Sequence, residues 1–170
     1  PQITRDAPQW YHPGQSGTLR LGPKTILAHF GVVNPRTLKA LDMDDEPTVA
    51  FEIFLDAIPG GKKKSTRAKP QMNAGDLMPV RRDFAFVVNG DTAAGDVVKA
   101  ARSADKNMIT GVNVFDVFAG GQLADQGQKS LALEVTLQPI DETLTDKDIE
   151  AISEKVIAAV KKATGGEIRG

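Results

Sequence analysis

The second half of the chain carries the clearer rhythm of apolar and polar positions. In VRRDFAFVV (80–88), Arg82, Phe84, Phe86 and Val88 fall on one side of a two-residue period, which predicts a strand. KSLALEVTLQP (129–139) repeats the pattern, with Leu131, Leu133, Val135 and Leu137 inward and Ser130, Ala132, Glu134, Thr136 and Gln138 outward. MITGVNVFDVF (108–118) predicts a strand between them, followed by a hairpin loop at AGGQLADQGQ. Two segments switch to helical spacing. TAAGDVVKAARSA (92–104) turns Val97, Val98 and Ala101 inward, and Asp91 is expected to cap it. The segment from Thr145 to about Ala163 spaces Ile149, Ile152, Val156 and Val160 on one face. Thr145 is its expected N-cap, with Asp146 and Asp148 in the first turn, and Gly165-Gly166 its expected stop. Glu167–Arg169 then suffices for a short last strand. The order is βαββαβ, the ferredoxin-like split unit, with two helices on one face of an antiparallel sheet. The fold class is α+β.

The first half reads as mostly strand. Residues 18–33 predict a hairpin around Gly22-Pro23. Asn34-Pro35 opens a short helix through Leu41, because proline fits the first helical position where no N–H is needed. TVAFEIFLDAI (48–58) predicts a long strand, apolar on both faces and therefore central in its sheet. The piece is too small to close a core by itself. It is expected to be the edge of a larger β-rich module. Between the halves, PGGKKKSTRAKPQMNAGD has linker composition. The expected divisions are 1–58, a basic linker at 59–78, and 79–170. The chain starts at Pro1, which suggests a piece of a longer protein.

Charge changes this picture only locally. The formal net charge is −1 over 170 residues. The linker holds Lys62, Lys63, Lys64, Arg67 and Lys69 against Asp76 alone. Residues 79–170 hold 11 bases and 14 acids, six of the acids between 141 and 154. The rest of that surface has the charge to meet phosphates. There is no cysteine, so disulfides, thiolate metal sites and a cysteine nucleophile are excluded. No apolar run approaches the about 20 residues that span a bilayer. A cytoplasmic protein without membrane contact is expected.

Candidate chemistry is sparse. His12 and His29 are the only histidines, and neither has a visible acid to orient it for catalysis. His12 reads as a turn residue and His29 as a packed strand residue; Glu52 and Asp56 read as structural hydrogen-bond acceptors or edge residues. Asp44, Asp45 and Glu46 lack the spaced ligands of a calcium loop. The glycine pairs at 120–121 and 165–166 lack the strand–helix context of phosphate loops. No catalytic residue and no metal site emerges. The more suggestive features are the arginine pair Arg81-Arg82, one residue on each side of its strand, and Phe115 or Phe118, either of which has the ring to stack on a base.

The same segments carry a resemblance. VRRDFAFVV, ITGVNVFDVF, KSLALEVTLQP, TLTDKDIEAISEKV and GGEIRG resemble the C-terminal anticodon-binding domain of the bacterial phenylalanyl-tRNA synthetase beta chain. WYHPGQSGTLRLG, LAHFGVVNPRTLKAL and VAFEIFLDAI resemble the end of that beta chain's catalytic-like module. The resemblance implies a heterotetramer of two alpha and two beta chains that joins phenylalanine to tRNA(Phe) with ATP and magnesium. It assigns catalysis to the alpha chain, so this piece would bind no cofactor and hold no active site. It implies an inactive catalytic-like remnant at 1–58 and a ferredoxin-fold anticodon-binding domain at 79–170.

The open sheet face would be the RNA platform, with Arg81, Arg82, Phe115, Lys129 and Arg169 as its expected tRNA contacts. Arg82 and Arg169 lie in the matched segments; the other three follow from strand position. Glu134 and Asp116 on that face would repel phosphate but accept hydrogen bonds from base amines. Lys62, Lys63, Lys64 and Arg67 are expected to touch the RNA backbone. Two other functions fit the same topology: an assembly module without RNA contact, and an amino-acid-sensing regulatory domain.

Overall fold

The computed structural model describes residues 1–43, 46–61 and 76–169. The chain divides into two compact units, Pro1–Lys69 and Pro70–Gly170. The linker cations Lys62, Lys63, Lys64, Arg67 and Lys69, and Asp44 and Asp45, lie outside the described residues.

In the first unit, β1 (Gln2–Thr4), β2 (Tyr11–Leu21), β3 (Thr25–Val33) and β4 (Val49–Ile53) pair in that order, all antiparallel. The β2–β3 turn uses Gly22 at φ 67, a left-handed conformation that glycine adopts without a Cβ penalty. A short helix, α1 (Pro35–Ala40), starts as its residues require: the Asn34 side chain accepts from the Arg36 N–H at 3.0 Å, and Pro35 occupies the first turn. The buried set is thin. Tyr11, Ala28 and Leu38 form its apolar part, with Thr18 and His29 hydrogen-bonded to each other at 2.9 Å.

Two expectations for this unit change. The strand predicted through Ile58 ends at Ile53, because Leu55–Ala57 turns into one round of 3-10 helix. It is also not central: β4 is the last strand of the described sheet. Its two-faced apolar pattern comes from uncovered side chains, Val49 at 73% and Phe51 at 72% exposure.

The second unit is the predicted α+β fold. Its elements run β5 (Val80–Asn89), α2 (Ala94–Ser103), β6 (Ile109–Phe118), α3 (Gln122–Asp125), β7 (Gln128–Leu137), α4 (Asp146–Thr164) and β8 (Glu167–Ile168). The sheet order is β6-β7-β5-β8, with every neighbour antiparallel. The inward residues of β5 and β7 meet Val97, Ala100 and Ala101 of α2 and Ile152, Val156 and Val160 of α4 in one dry core. Leu131, Leu133, Val135 and Leu137 are each at most 1% exposed. Helix α4 begins with a reciprocal cap. The Thr145 hydroxyl accepts from the Asp148 N–H at 3.3 Å, and the Asp148 carboxylate accepts from the Thr145 N–H at 2.9 Å. Gly165 ends it at φ 69.

Three details differ from the sequence expectation. Helix α2 starts after Ala93, not at Asp91, and no side chain caps it; the Asn89 side chain instead accepts from the Asp91 N–H at 3.0 Å, closing a turn before the helix. The loop after β6 contains the single turn α3. Ser130, although on the outward parity, is only 5% exposed, flanked by Val87 and Phe118 on the neighbouring strands.

Two predictions follow from packing and charge. Gly31 sits at φ 142 opposite Ser16, where a Cβ would lie 2.5 Å from the Gln15 carbonyl oxygen and from Ser16 Cα. Gly31→Ala should cost about 2 kcal/mol or more, read as a lowered urea midpoint of the first unit. In the second unit, burial pushes the Asp105 carboxyl up, but the Lys155 ammonium at 3.1 Å and the N–H groups of Met108 and Asn107 outweigh it and hold it below its ordinary value. A depressed native pKa means stability that is complete above the unfolded value of about 3.9 and is lost as pH falls through the native one. Urea midpoints at about pH 3 and pH 7 should therefore differ less in Asp105→Asn than in the parent chain. Equal differences would show that Asp105 does not contribute to acid lability.

Candidate nucleic-acid interface

The helices of the second unit cover one sheet face, and strand register identifies what stands on the other. Four rows cross the sheet. Arg81, Thr136 and Gly111 form the first, Asp83, Glu134 and Asn113 the second, Ala85, Ala132 and Asp116 the third, and Val87, Ser130 and Phe118 the fourth. The short strand β8 adds Glu167 beside Val87, and the next residue but one, Arg169, donates its N–H to the Ala85 carbonyl at 2.7 Å. Small side chains at the centre, Ala85, Ala132 and Ser130, leave the face flat.

Phe115 reaches its place through an irregularity. Val114 pairs with Leu133 and Asp116 with Ala132, so Phe115 is the extra residue of a β-bulge. Phe115 is 57% exposed and Phe118 49%. The Phe118 ring lies close to Gly120, where a Cβ would stand 3.2 Å from its Cζ, so Gly120 makes room for the ring. Two aromatic side chains are thus available, where one was expected.

The other expected contacts separate. Arg81 stands on the open face, 3.6 Å from the Glu134 carboxylate. Arg82 pairs in register with Val135 and so belongs to the helix-bearing side, exposed at its rim. Lys129 is opposite Val88 on that same side, and its ammonium donates to the Gly90 carbonyl at 2.8 Å. Arg169 follows β8 and is exposed. Register therefore places Arg81 and Arg169 on the sheet platform with the aromatics, and puts Arg82 and Lys129 around its edge.

Charge on the open face is not favourable to phosphate. Asp83, Asp116, Glu134 and Glu167 stand against Arg81 and Arg169. Cations collect instead at the C-terminal end of α2. There Lys99, Arg102, Ser103, Lys106, Ile109 and Thr110 line an open groove of about 600 Å³. None of these cations stands out in the sequence, where Asp96 and Asp105 lie close to them.

The first unit uses its polar residues structurally. Glu52 accepts from the Trp10 indole N–H at 2.8 Å and from the Tyr11 hydroxyl at 3.4 Å. Burial, then the Glu52 charge, raises the Tyr11 pKa. The His12 Nδ1 accepts from the Gly14 N–H at 3.1 Å, and His29 packs edge-on against Phe54. Among the described residues, no three His, Cys, Asp or Glu side chains converge as a metal site. No helix among them is long and apolar enough to cross a membrane.

An exposed ion pair at 3.6 Å in high dielectric contributes little to folding. Arg81→Ala should change the stability of the second unit by less than about 1 kcal/mol in urea titration, as expected of a guanidinium the fold does not need. A larger loss would make it a structural residue.

Comparison with known proteins matches this geometry. Residues 77–169 match the model of the ferredoxin-fold anticodon binding domain, and residues 1–55 that of the phenylalanyl tRNA synthetase beta chain CLM domain. The chain is 51% identical over 168 residues to the phenylalanine–tRNA ligase beta subunit of Bradyrhizobium diazoefficiens, covering 99% of this chain and 21% of that protein. The corresponding subunits of Brucella abortus and Paramagnetospirillum magneticum are 52% and 53% identical over 169 residues, with the same coverage. The chain thus spans about a fifth of the length of the curated relatives it matches. With the sheet order, the two helices on one face and the match over 77–169 all in agreement, the chain belongs to the ferredoxin-fold anticodon-binding domain family and carries the phenylalanyl-tRNA synthetase beta-chain module ahead of that domain.

Proposed function

We propose that residues 79–170 hold the anticodon region of tRNA(Phe) as part of a phenylalanine–tRNA ligase. The observation that carries this reading is the family match over the domain whose uncovered sheet face presents Phe115, Phe118, Arg81 and Arg169. An anticodon loop offers unstacked bases. A flat sheet with exposed rings stacks them, and side-chain acceptors such as Glu134 and Asp116 take hydrogen bonds from base amines. In this reading Arg81 and Arg169 hold the loop at the platform, Arg82 and Lys129 act from its rim, and the linker cations Lys62, Lys63, Lys64 and Arg67 add backbone contacts. Residues 1–58 are the end of an inactive catalytic-like module, and 59–78 the tether. ATP, magnesium and the chemical step belong to the alpha chain of a cytoplasmic heterotetramer. The domain positions the tRNA and leaves bond making to its partner.

A second reading concerns the first unit alone. Val49, Phe51, Ile53, Leu55 and Ile58 are all at least 50% exposed around one edge strand, more uncovered apolar surface than so small a unit needs. That favours an assembly role for the first unit, with β4 built against more protein.

The test is fluorescence anisotropy with labelled tRNA(Phe). Base–aromatic stacking is worth about 1–3 kcal/mol, so Phe115→Ala should weaken binding by about tenfold. Arg169→Ala should weaken it too and lower the salt dependence. Binding that survives both substitutions but is lost when Lys62, Lys63 and Lys64 are changed to glutamine would move the contact to the linker. Undiminished binding of all three variants would overturn the reading.

A further inference from the structure

We propose that the groove lined by Lys99, Arg102 and Lys106, on the helix-bearing side of the second unit, binds the phosphate backbone of RNA whose bases lie on the open sheet face. The proposal rests on the tRNA-binding reading above and assigns that reading's electrostatic component to different residues. It begins from a mismatch. A nucleic-acid ligand needs cations for its phosphates. The open face has four carboxylates and two guanidiniums, one of them already beside Glu134. That face is suited to bases and their amino groups, not to a row of phosphates.

The groove has the complementary character. Lys99 and Arg102 are three residues apart, the spacing that shares one face of α2, and Lys106 follows in the turn after the helix ends at Ser103. All three are exposed, and none has a hydrogen-bond or ion-pair partner among the described residues. Four other cations are held in ion pairs: Arg20 with Asp6, Arg81 with Glu134, Lys155 with Asp105 and Lys161 with Glu167. Asp105, the acid nearest in sequence, is occupied on another side by Lys155 and by the N–H groups of Asn107 and Met108. No acid lines the groove, while the Ser103 and Thr110 hydroxyls donate to the Ala100 and Thr136 carbonyls and leave the phosphate contacts to the three cations. A lone arginine at a helix C-terminus is explained by the helix dipole. Two unmatched lysines flanking it exceed what the dipole needs.

Position selects RNA over an acidic protein as the occupant. Ile109 and Thr110 open β6, the outer strand of the sheet, and Phe115 and Phe118 stand toward its other end. A strand of this length runs roughly 30 Å. An RNA strand laid along this outer edge brings bases to the rings and backbone to the groove together.

The experiment compares Lys99→Gln/Arg102→Gln/Lys106→Gln with an equal charge change in the first unit, Lys24→Gln/Arg36→Gln/Lys39→Gln. Each is made in the full-length protein, with its fold checked by circular dichroism. Binding of tRNA(Phe) is followed by anisotropy across a salt titration. Three lost phosphate contacts should reduce the slope of log affinity against log salt by about 2 and weaken binding by about tenfold at physiological salt. The first-unit control should do neither. A groove variant that binds like the control, while Phe115→Ala still weakens binding, would overturn the groove and leave the tRNA reading standing. A groove variant that keeps its RNA affinity but fails to assemble would also overturn it, in favour of an acidic protein partner. An unmodified protein that does not bind tRNA would overturn both readings.

Discussion

Everything in the second unit depends on β7 having one dry side and one wet side. It is an interior strand, paired along its whole length with β5 and from Ser130 to Leu137 with β6. Its inward residues are shut from water by α2 and α4, whereas outward Ala132, Glu134 and Thr136 stay only half-buried. A one-residue slip of this strand would carry four apolar side chains onto the open face and Glu134 into the core. The cost of burying that carboxylate without a partner fixes the register as firmly as the apolar contacts do. The position of Arg81, Asp83, Asn113 and Thr136 is thus a consequence of where Leu133 and Val135 must go. The candidate interface is the by-product of core formation on its reverse side.

The arrangement also separates two jobs that a nucleic-acid surface must do. Bases need flat apolar area and hydrogen-bond acceptors; phosphates need positive charge. The outward positions of β5 and β7 are held flat by Ala85, Ala132 and Ser130, and their carboxylates make them poor phosphate ligands. Positive charge is carried mostly at the margins, with Arg82 at the rim and the cations at the end of α2 around the edge, while Arg81 and Arg169 alone stand on the face. Such a division lets specificity and electrostatic affinity vary independently, since one resides on the sheet and the other around it.

Much of this was legible in the residues. Period-two and helical spacing located β5, β7, α2 and α4, and Thr145 and Gly165 marked the ends of α4 because their chemistry acts locally. Failures came where the outcome depends on something distant. Both faces of β4 are apolar, which reads equally as a central strand or as an edge awaiting cover; only pairing distinguishes them. Asp91 has a good capping side chain, but the Asn89 turn puts it too early in the chain to use it. The place of Phe115 was obscured because a bulge adds one residue and parity counting assumes none. Arg81 and Arg169 were found with the aromatics, whereas Lys129 was drawn to Gly90 by a carbonyl that no local pattern reveals. The α2 cations were missed because a polar helix face looks the same whether its charges are matched or not.

The two units differ in what holds them, and that difference bears on how each can act. The second unit closes a complete core and presents its ligand-facing residues on a surface already set by strand register. On the proposed reading, preorganisation of that kind costs the protein little on binding, since Phe115 and Arg81 project from paired strands and not from loops. The first unit has a thin core and an uncovered apolar edge at β4. Its Trp10 and Tyr11 are tied to Glu52 on that same strand, so covering β4 and fixing β2 are one event. A unit built this way gains rigidity from what it docks against, whereas the anticodon-binding domain brings its own. That difference fits the proposal that the first unit docks into a larger assembly while the second meets an RNA on a surface it has already formed.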